Sequence, residues 1–247
     1  MSKSGSFIVL EGIDCVGKST VYNSVVDKLK TEGYDLFATK EPGDLYTGSC
    51  VGAGIRELLF KNPTTLKMRS GVADLLFLAE HLQNSGDALE SVRKGKIVIS
   101  DRYADSQFAY GLGKTNPSPA WTLELFARYY GLVPDLLILL KAIGPESNPD
   151  DISWIMGRGK NRDKSPYESG KQAGKTWSTL EDQKKIQNTY LKNLMGKEHV
   201  VVIPVEEKTT QKELFSMVYN EIQAELNSRQ YRCWDENFDN PYNSYWC

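Results

Sequence analysis

SFIVLEGIDCVGKST, residues 6–20, decides how the rest of this chain is read. Phe7, Ile8, Val9 and Leu10 make an apolar run of strand length, and Gly12, Gly17, Lys18 and Ser19 satisfy G-x-x-x-x-G-K-[ST]. From Lys18 onward the period changes: Val21, Val25, Val26 and Leu29 recur at helical spacing, and Gly33 stops the run. Strand, glycine-rich turn and helix in that order form a phosphate-binding loop. Its glycines let backbone N–H groups converge on phosphate oxygens, and the helix N-terminus adds positive potential. Gly12, Ile13, Asp14, Cys15, Val16, Gly17, Lys18, Ser19 and Thr20 are the expected wall of that site. Lys18 reaches the β- and γ-phosphates, and the Ser19 hydroxyl suits Mg²⁺.

Working outward, further runs of strand length stand at YDLFAT (34–39), KIVIS (96–100), DLLILL (135–140) and HVVVIPV (199–205). Helices are expected between and after them, over 66–94, 119–130, 180–195 and 211–227. Strands alternating with helices predict an α/β fold with a five-stranded parallel sheet covered on both faces. Residues 144–176 are rich in Gly, Pro, Ser, Lys and Arg and read as a mobile surface loop. The α/β domain is expected over 1–228 with a lid at about 154–176, followed by an aromatic, polar tail over 229–247.

A formal net charge of −2 gives no broad basic face, so nucleic acid is not an expected partner. Cys15, Cys50, Cys233 and Cys247 lie far apart and, with two histidines in the chain, form no zinc-ligand spacing. No window approaches the roughly 18 to 20 apolar residues of a membrane span. The expectation is a soluble, cytoplasmic protein with reduced thiols.

The strand KIVIS ends in Asp101, where a phosphate-loop enzyme keeps the aspartate that organises its metal. Ser19 and Asp101 are therefore the expected Mg²⁺ partners. Arg102 follows immediately, and a cation beside a metal site needs a reason. A second phosphate supplies one, because a guanidinium matches phosphate oxygens bidentately. The pattern points to ATP as donor and to an acceptor that itself carries a phosphate.

These residues, with KEPG (40–43), IRELLF (55–60), LLFLAEHLQ (75–83), VISDRYADSQFAYG (98–111) and PDLLILL (134–140), resemble the thymidylate kinase family in order and spacing. The resemblance covers roughly residues 5–225. It implies a P-loop fold of the nucleoside monophosphate kinase type with a mobile lid, a homodimer, and transfer of the ATP γ-phosphate to dTMP. It also implies roles. Asp14 meets the acceptor sugar, Glu41 and Pro42 stand beside the acceptor, and Arg56 lies near its phosphate. Phe77 stacks on the base, Arg102 binds the acceptor phosphate and Tyr103 disfavours a ribose. Ser106 and Gln107 face the base, and Tyr110 belongs to the same acceptor pocket.

Where one type of the family carries an arginine in the phosphate loop, this chain has Cys15, so the resemblance moves the catalytic cation to the lid. Arg158 and Arg162 are its candidates, accompanied by Lys160 and Lys164. His81 stands where the family usually has an arginine that meets the base, which leaves dUMP or a 5-modified dUMP open as acceptor. Lys141 stands where the family commonly continues with an acid. A deoxynucleoside kinase, with Glu41 as base, and a non-catalytic nucleotide binder are the alternatives.

Overall fold

Five strands align in parallel in the computed structural model: β1 (Ser6–Gly12), β2 (Leu36–Lys40), β3 (Ile97–Asp101), β4 (Leu136–Ala142) and β5 (Val200–Val205). The structure describes residues 5–43, 50–60, 70–110, 132–158 and 179–229. The strand order is β2-β3-β1-β4-β5. Runs such as Phe7–Leu10 and Leu137–Leu140 are buried along their whole length, as strands covered on both faces must be. Leu10 and Lys40 both pair with Asp101, so the carboxyl ends of β1, β2 and β3 finish side by side.

The helices are α1 (Lys18–Thr31), α2 (Cys50–Phe60), α3 (Ser70–Arg93), α4 (Ala104–Tyr110), α5 (Trp154–Arg158), α6 (Leu180–Leu194) and α7 (Gln211–Arg229). α1 and α7 pack together against the sheet, and α3, α4 and α6 form a second layer. Val21, Val25 and Leu29 of α1, with Leu214, Val218 and Ile222 of α7, bury the apolar stripes that the helical spacing marks out. At α6 the Thr179 hydroxyl caps the first turn by accepting from Asp182 N–H at 3.1 Å.

Three elements differ from the sequence reading. α2 and α4 lie inside segments legible only as motifs. The segment 144–158, expected as mobile loop, is folded over its described length. Ile152, Trp154 and Ile155 are buried, and the Trp154 indole N–H donates to the Ile143 carbonyl at 3.0 Å. Three apolar side chains fix it to the core despite its Gly and Pro content. The expected helix 119–130 and the tail 230–247 lie outside the described residues.

Candidate functional site

The site is built at the carboxyl ends of β1, β2 and β3, where open parallel sheets place their ligands. The chain leaves β1 at Gly12 with φ 147° and passes Cys15 at φ 62° and Gly17 at φ 108°. A Cβ on Gly12 would stand 2.8 Å from the Leu140 carbonyl oxygen, so both backbone angle and space require glycine there. Gly17 precedes α1 and brings no side chain to cap its first N–H groups, which leaves that turn shaped for an anion.

Two side chains of this turn reach Asp101. Ser19 Oγ donates to Asp101 Oδ2 at 2.9 Å, and Lys18 Nζ lies 3.6 Å from Oδ1. Oδ1 is buried and accepts no hydrogen bond among the described residues. An orphaned carboxylate oxygen beside a hydroxyl fits Mg²⁺, which takes few protein oxygens and completes its shell with water and phosphate. Among the described residues no group of three or more His, Cys, Asp or Glu side chains gathers to hold a metal alone. Burial, followed by the neighbouring Arg102 charge, lowers the Lys18 pKa.

Arg102 adopts φ 78°, a conformation unusual outside glycine. Its N–H donates to the Leu10 carbonyl at 2.9 Å and its carbonyl accepts from Ser100 Oγ at 2.6 Å, which aims the side chain back toward the phosphate loop. There Nη2 donates to Asp14 Oδ1 at 2.7 Å and to Tyr110 Oη at 3.0 Å. Nη1 donates to the Gly12 carbonyl at 3.2 Å, Ser106 Oγ at 3.1 Å and Tyr190 Oη at 3.3 Å. The guanidinium also sits 4.7 Å from the Tyr110 ring centre.

Beneath this cluster lies Glu11, a fully buried carboxyl that sequence reasoning passed over. It accepts from Tyr103 N–H at 2.8 Å, Ser106 N–H at 3.2 Å, Ser106 Oγ at 2.7 Å and Tyr190 Oη at 2.8 Å. Burial raises its pKa, and the Arg102 charge opposes that shift. Glu11 thus pins the turn after β3 that presents Arg102. Gln183 of α6 was missed too. Its Oε1 accepts from Asp14 N–H at 3.1 Å, and its amide points to Asp14 Oδ2 at 3.5 Å. The only sequence signal for Gln183 and Tyr190 was polarity at spacing shared with buried Ile186 and Leu194.

Just past the end of β2 the Glu41–Pro42 peptide is cis. Arg56 Nη1 donates to the Pro42 carbonyl at 2.8 Å, so its present role is to hold that segment. Gly43 N–H donates to Glu80 Oε1 at 2.8 Å, and burial, then the Glu41 charge, pushes the Glu80 carboxyl up to about 8. Gln107 Nε2 donates to the Phe77 carbonyl at 3.1 Å, while Gln107 Oε1 is buried without a partner among the described residues. Phe77 is half-buried on α3. Tyr103 and His81 do not reach the cleft surface. The Tyr103 ring packs edge-on to Phe7, its hydroxyl donates to the Leu132 carbonyl at 3.1 Å, and His81 is 1 % exposed.

Arg158 closes α5 away from this cluster, donating from Nη2 to the Glu207 carbonyl at 2.9 Å with its guanidinium 4.5 Å from the Trp154 ring centre. Arg162, Lys160 and Lys164 lie outside the described residues.

A family model described as thymidylate kinase matches residues 10–214. A thymidylate kinase of an Exiguobacterium species is 38 % identical over 146 residues, which covers 58 % of this chain and 66 % of that protein. The thymidylate kinase of Cutibacterium acnes is 38 % identical over 139 residues, 55 % of this chain and 65 % of its own. For that of Bacillus pumilus the figures are 33 % over 165 residues, 64 % and 73 %. The first two alignments span just under two thirds of those relatives' length.

Proposed function

This chain belongs to the thymidylate kinase family, and from that premise we propose that it transfers the γ-phosphate of ATP to a deoxypyrimidine monophosphate, dTMP first. One observation carries the reading. Arg102, a cation with no task in a simple ATPase, is hydrogen-bonded to Gly12 and Asp14 of the very loop that carries Lys18. A donor site and an anion-binding side chain thereby share one cleft, as transfer between two phosphates requires.

Phosphoryl transfer to a phosphate needs no general base, since the attacking oxygen is already anionic. Positioning and charge neutralisation do the work. Lys18 and the α1 N-terminus hold the donor's phosphates, Arg102 holds the acceptor's, and Asp14 stands between them to orient the acceptor sugar. Ser19 Oγ and Asp101 would hold Mg²⁺, whose charge neutralises the donor's phosphate oxygens. The expected lid, of which residues 159–176 lie outside the described residues, would exclude water on closing. Within it Arg162 is favoured over Arg158 as the cation on the transferring phosphate, because Arg158 is already tied to Glu207.

The deoxynucleoside kinase alternative asks Glu41 to take a proton from a hydroxyl. Both Glu41 oxygens lie 2.8 Å from His81 Nδ1 and the residue is 7 % exposed, which disfavours it. A homodimer is part of the same proposal, and exposed Val51, Val72 and Leu75 on α2 and α3 supply apolar surface for one. Sedimentation of the pure protein tests this. No helix among the described residues is long and apolar enough to cross a membrane.

The deciding experiment measures ADP release with ATP and Mg²⁺ against dTMP, dUMP, dCMP, UMP and thymidine. Turnover of dTMP or dUMP upholds the reading. Turnover of thymidine alone, or of no acceptor, refutes it.

A further inference from the structure

We propose that His81 is a positioning residue that fixes Glu41, and with it the acceptor-side segment 41–43, and that it takes no part in reading the acceptor's base. The inference deepens the monophosphate kinase reading and rests on it for the identity of the acceptor.

His81 lies on the inner face of α3 with both ring nitrogens in use. Nδ1 is 2.8 Å from Glu41 Oε1 and 2.8 Å from Oε2, and Nε2 is 3.2 Å from Ser85 Oγ, one turn further along the helix. An imidazole has two hydrogen-bonding atoms, so none is left for a ligand. The ring itself is tilted against Tyr103, centres 4.7 Å apart, inside the protein. Burial lowers the His81 pKa to about 3 and raises that of Glu41 well above its ordinary value. Both directions favour a neutral pair, in which the Glu41 carboxyl donates to Nδ1 and Nε2–H donates to Ser85.

The neighbours of His81 on α3 hold the same short segment. Glu80 accepts from Gly43 N–H, and Asn84 Nδ2 points to Glu41 Oε1 at 3.4 Å. Glu41 N–H donates to the Asp101 carbonyl at 3.0 Å, which ties the segment to the metal-organising strand end. Residues 80, 81 and 84 thus form one clasp behind residues 41–43. Removing the imidazole leaves a buried carboxyl without its principal partner, and the segment loosens.

The test uses His81→Gln, whose amide reaches the place of Nε2 but not of Nδ1, and His81→Asn, whose amide overlays Nδ1. In His81→Gln, amide hydrogen exchange at Glu41 and Gly43 should quicken by about ten-fold or more, while Leu10 and Ile99 stay unchanged. The KM for dTMP should rise by about ten-fold with the KM for ATP unaffected. The ratios of kcat/KM among dTMP, dUMP and dCMP should not move, and His81→Asn should recover most of the loss. Unchanged exchange at Glu41 and Gly43, or a shift of about ten-fold or more in the ratio of 4-oxo to 4-amino acceptors, overturns the inference. If His81→Gln does not fold, ¹⁵N resonances of the wild-type imidazole decide: no change on adding dTMP upholds the assignment, and a change refutes it. If the wild type turns over no monophosphate, the functional reading fails, and exchange at Glu41 and Gly43 alone decides whether His81 is a clasp.

Discussion

Tyr190→Phe should destabilise the protein by about 1–3 kcal/mol, read at pH 6 and at pH 8, with the loss no smaller at the higher pH. The substitution removes one oxygen and leaves the ring, so no cavity term enters. Three oxygens meet there in a triangle. Tyr190 Oη is 2.8 Å from Glu11 Oε2 and 2.7 Å from Ser106 Oγ, and Ser106 Oγ is 2.7 Å from Glu11 Oε2. Both hydroxyls donate to Glu11 Oε2, and burial raises the pKa of that carboxyl. Phenylalanine deletes two sides of the triangle. If Glu11 is neutral, a lost bond costs about 1 kcal/mol; if it is charged, about 1.5–3 kcal/mol.

The sign with pH follows from linkage. A carboxyl whose folded pKa is raised contributes its full stability below the unfolded value and loses it as pH rises through the folded one. The Tyr190 hydroxyl lowers the Glu11 pKa, so its removal raises that pKa further and steepens the decline. Urea titration followed by far-ultraviolet circular dichroism at both pH values measures the loss. A loss under about 0.5 kcal/mol at both would refute the claim that Glu11 depends on α6, since a buried hydrogen bond to a carboxyl is worth more than that.

Other substitutions test other parts of the site. Gly12→Ala places a Cβ 2.8 Å from the Leu140 carbonyl at φ 147°, and should cost about 2 kcal/mol or more in thermal unfolding along with most ATP affinity. Glu80 has a folded pKa of about 8, so its contribution is full below the unfolded value and fades as pH rises toward 8. Glu80→Gln should remove that fading and flatten the fall in melting temperature between pH 5 and 8, worth at least about 1 kcal/mol. Ser19→Ala should raise the Mg²⁺ concentration needed for half-maximal turnover by about ten-fold and leave the KM for dTMP unchanged.

The sequence makes legible what is set by neighbours along the chain. Five apolar runs became five strands, and α1, α3, α6 and α7 stand where helical spacing predicts them because each buries a long stripe. α5 escaped because one turn is too short to show a period, even though Ile152, Trp154 and Ile155 are buried. The phosphate loop and the Asp101–Arg102 pair were visible because their work is done by consecutive residues. Glu11, Glu80, Gln183 and Tyr190 were not, since each acts through a partner that only the sheet crossovers bring near. His81 could be seen as a departure from a pattern. That its ring turns inward to Glu41 needed the packing of α3 behind β2.

The surroundings of Arg102 bear on how an acceptor could be taken up. Five protein groups accept from its terminal nitrogens, and among them only Asp14 is charged. Hydroxyl and carbonyl oxygens are weaker acceptors than a phosphate dianion, so an arriving phosphate can outcompete Tyr110 at modest cost. Nη1 has the better anchorage, being turned toward Gly12, Ser106 and Tyr190, the latter two also held by Glu11. Nη2 is therefore the face offered to a ligand. As it turns to phosphate, Asp14 loses its closest partner while Gln183 still holds its backbone N–H. On the proposed reading, that carboxylate would then turn to a sugar hydroxyl of the acceptor. One exchange at Arg102 would thus ready both the cation and the carboxylate, and a phosphate on the acceptor would begin it. A neutral nucleoside brings no anion to start that exchange, which would give the proposed preference for a phosphorylated acceptor a physical origin in the Asp14–Arg102 pair.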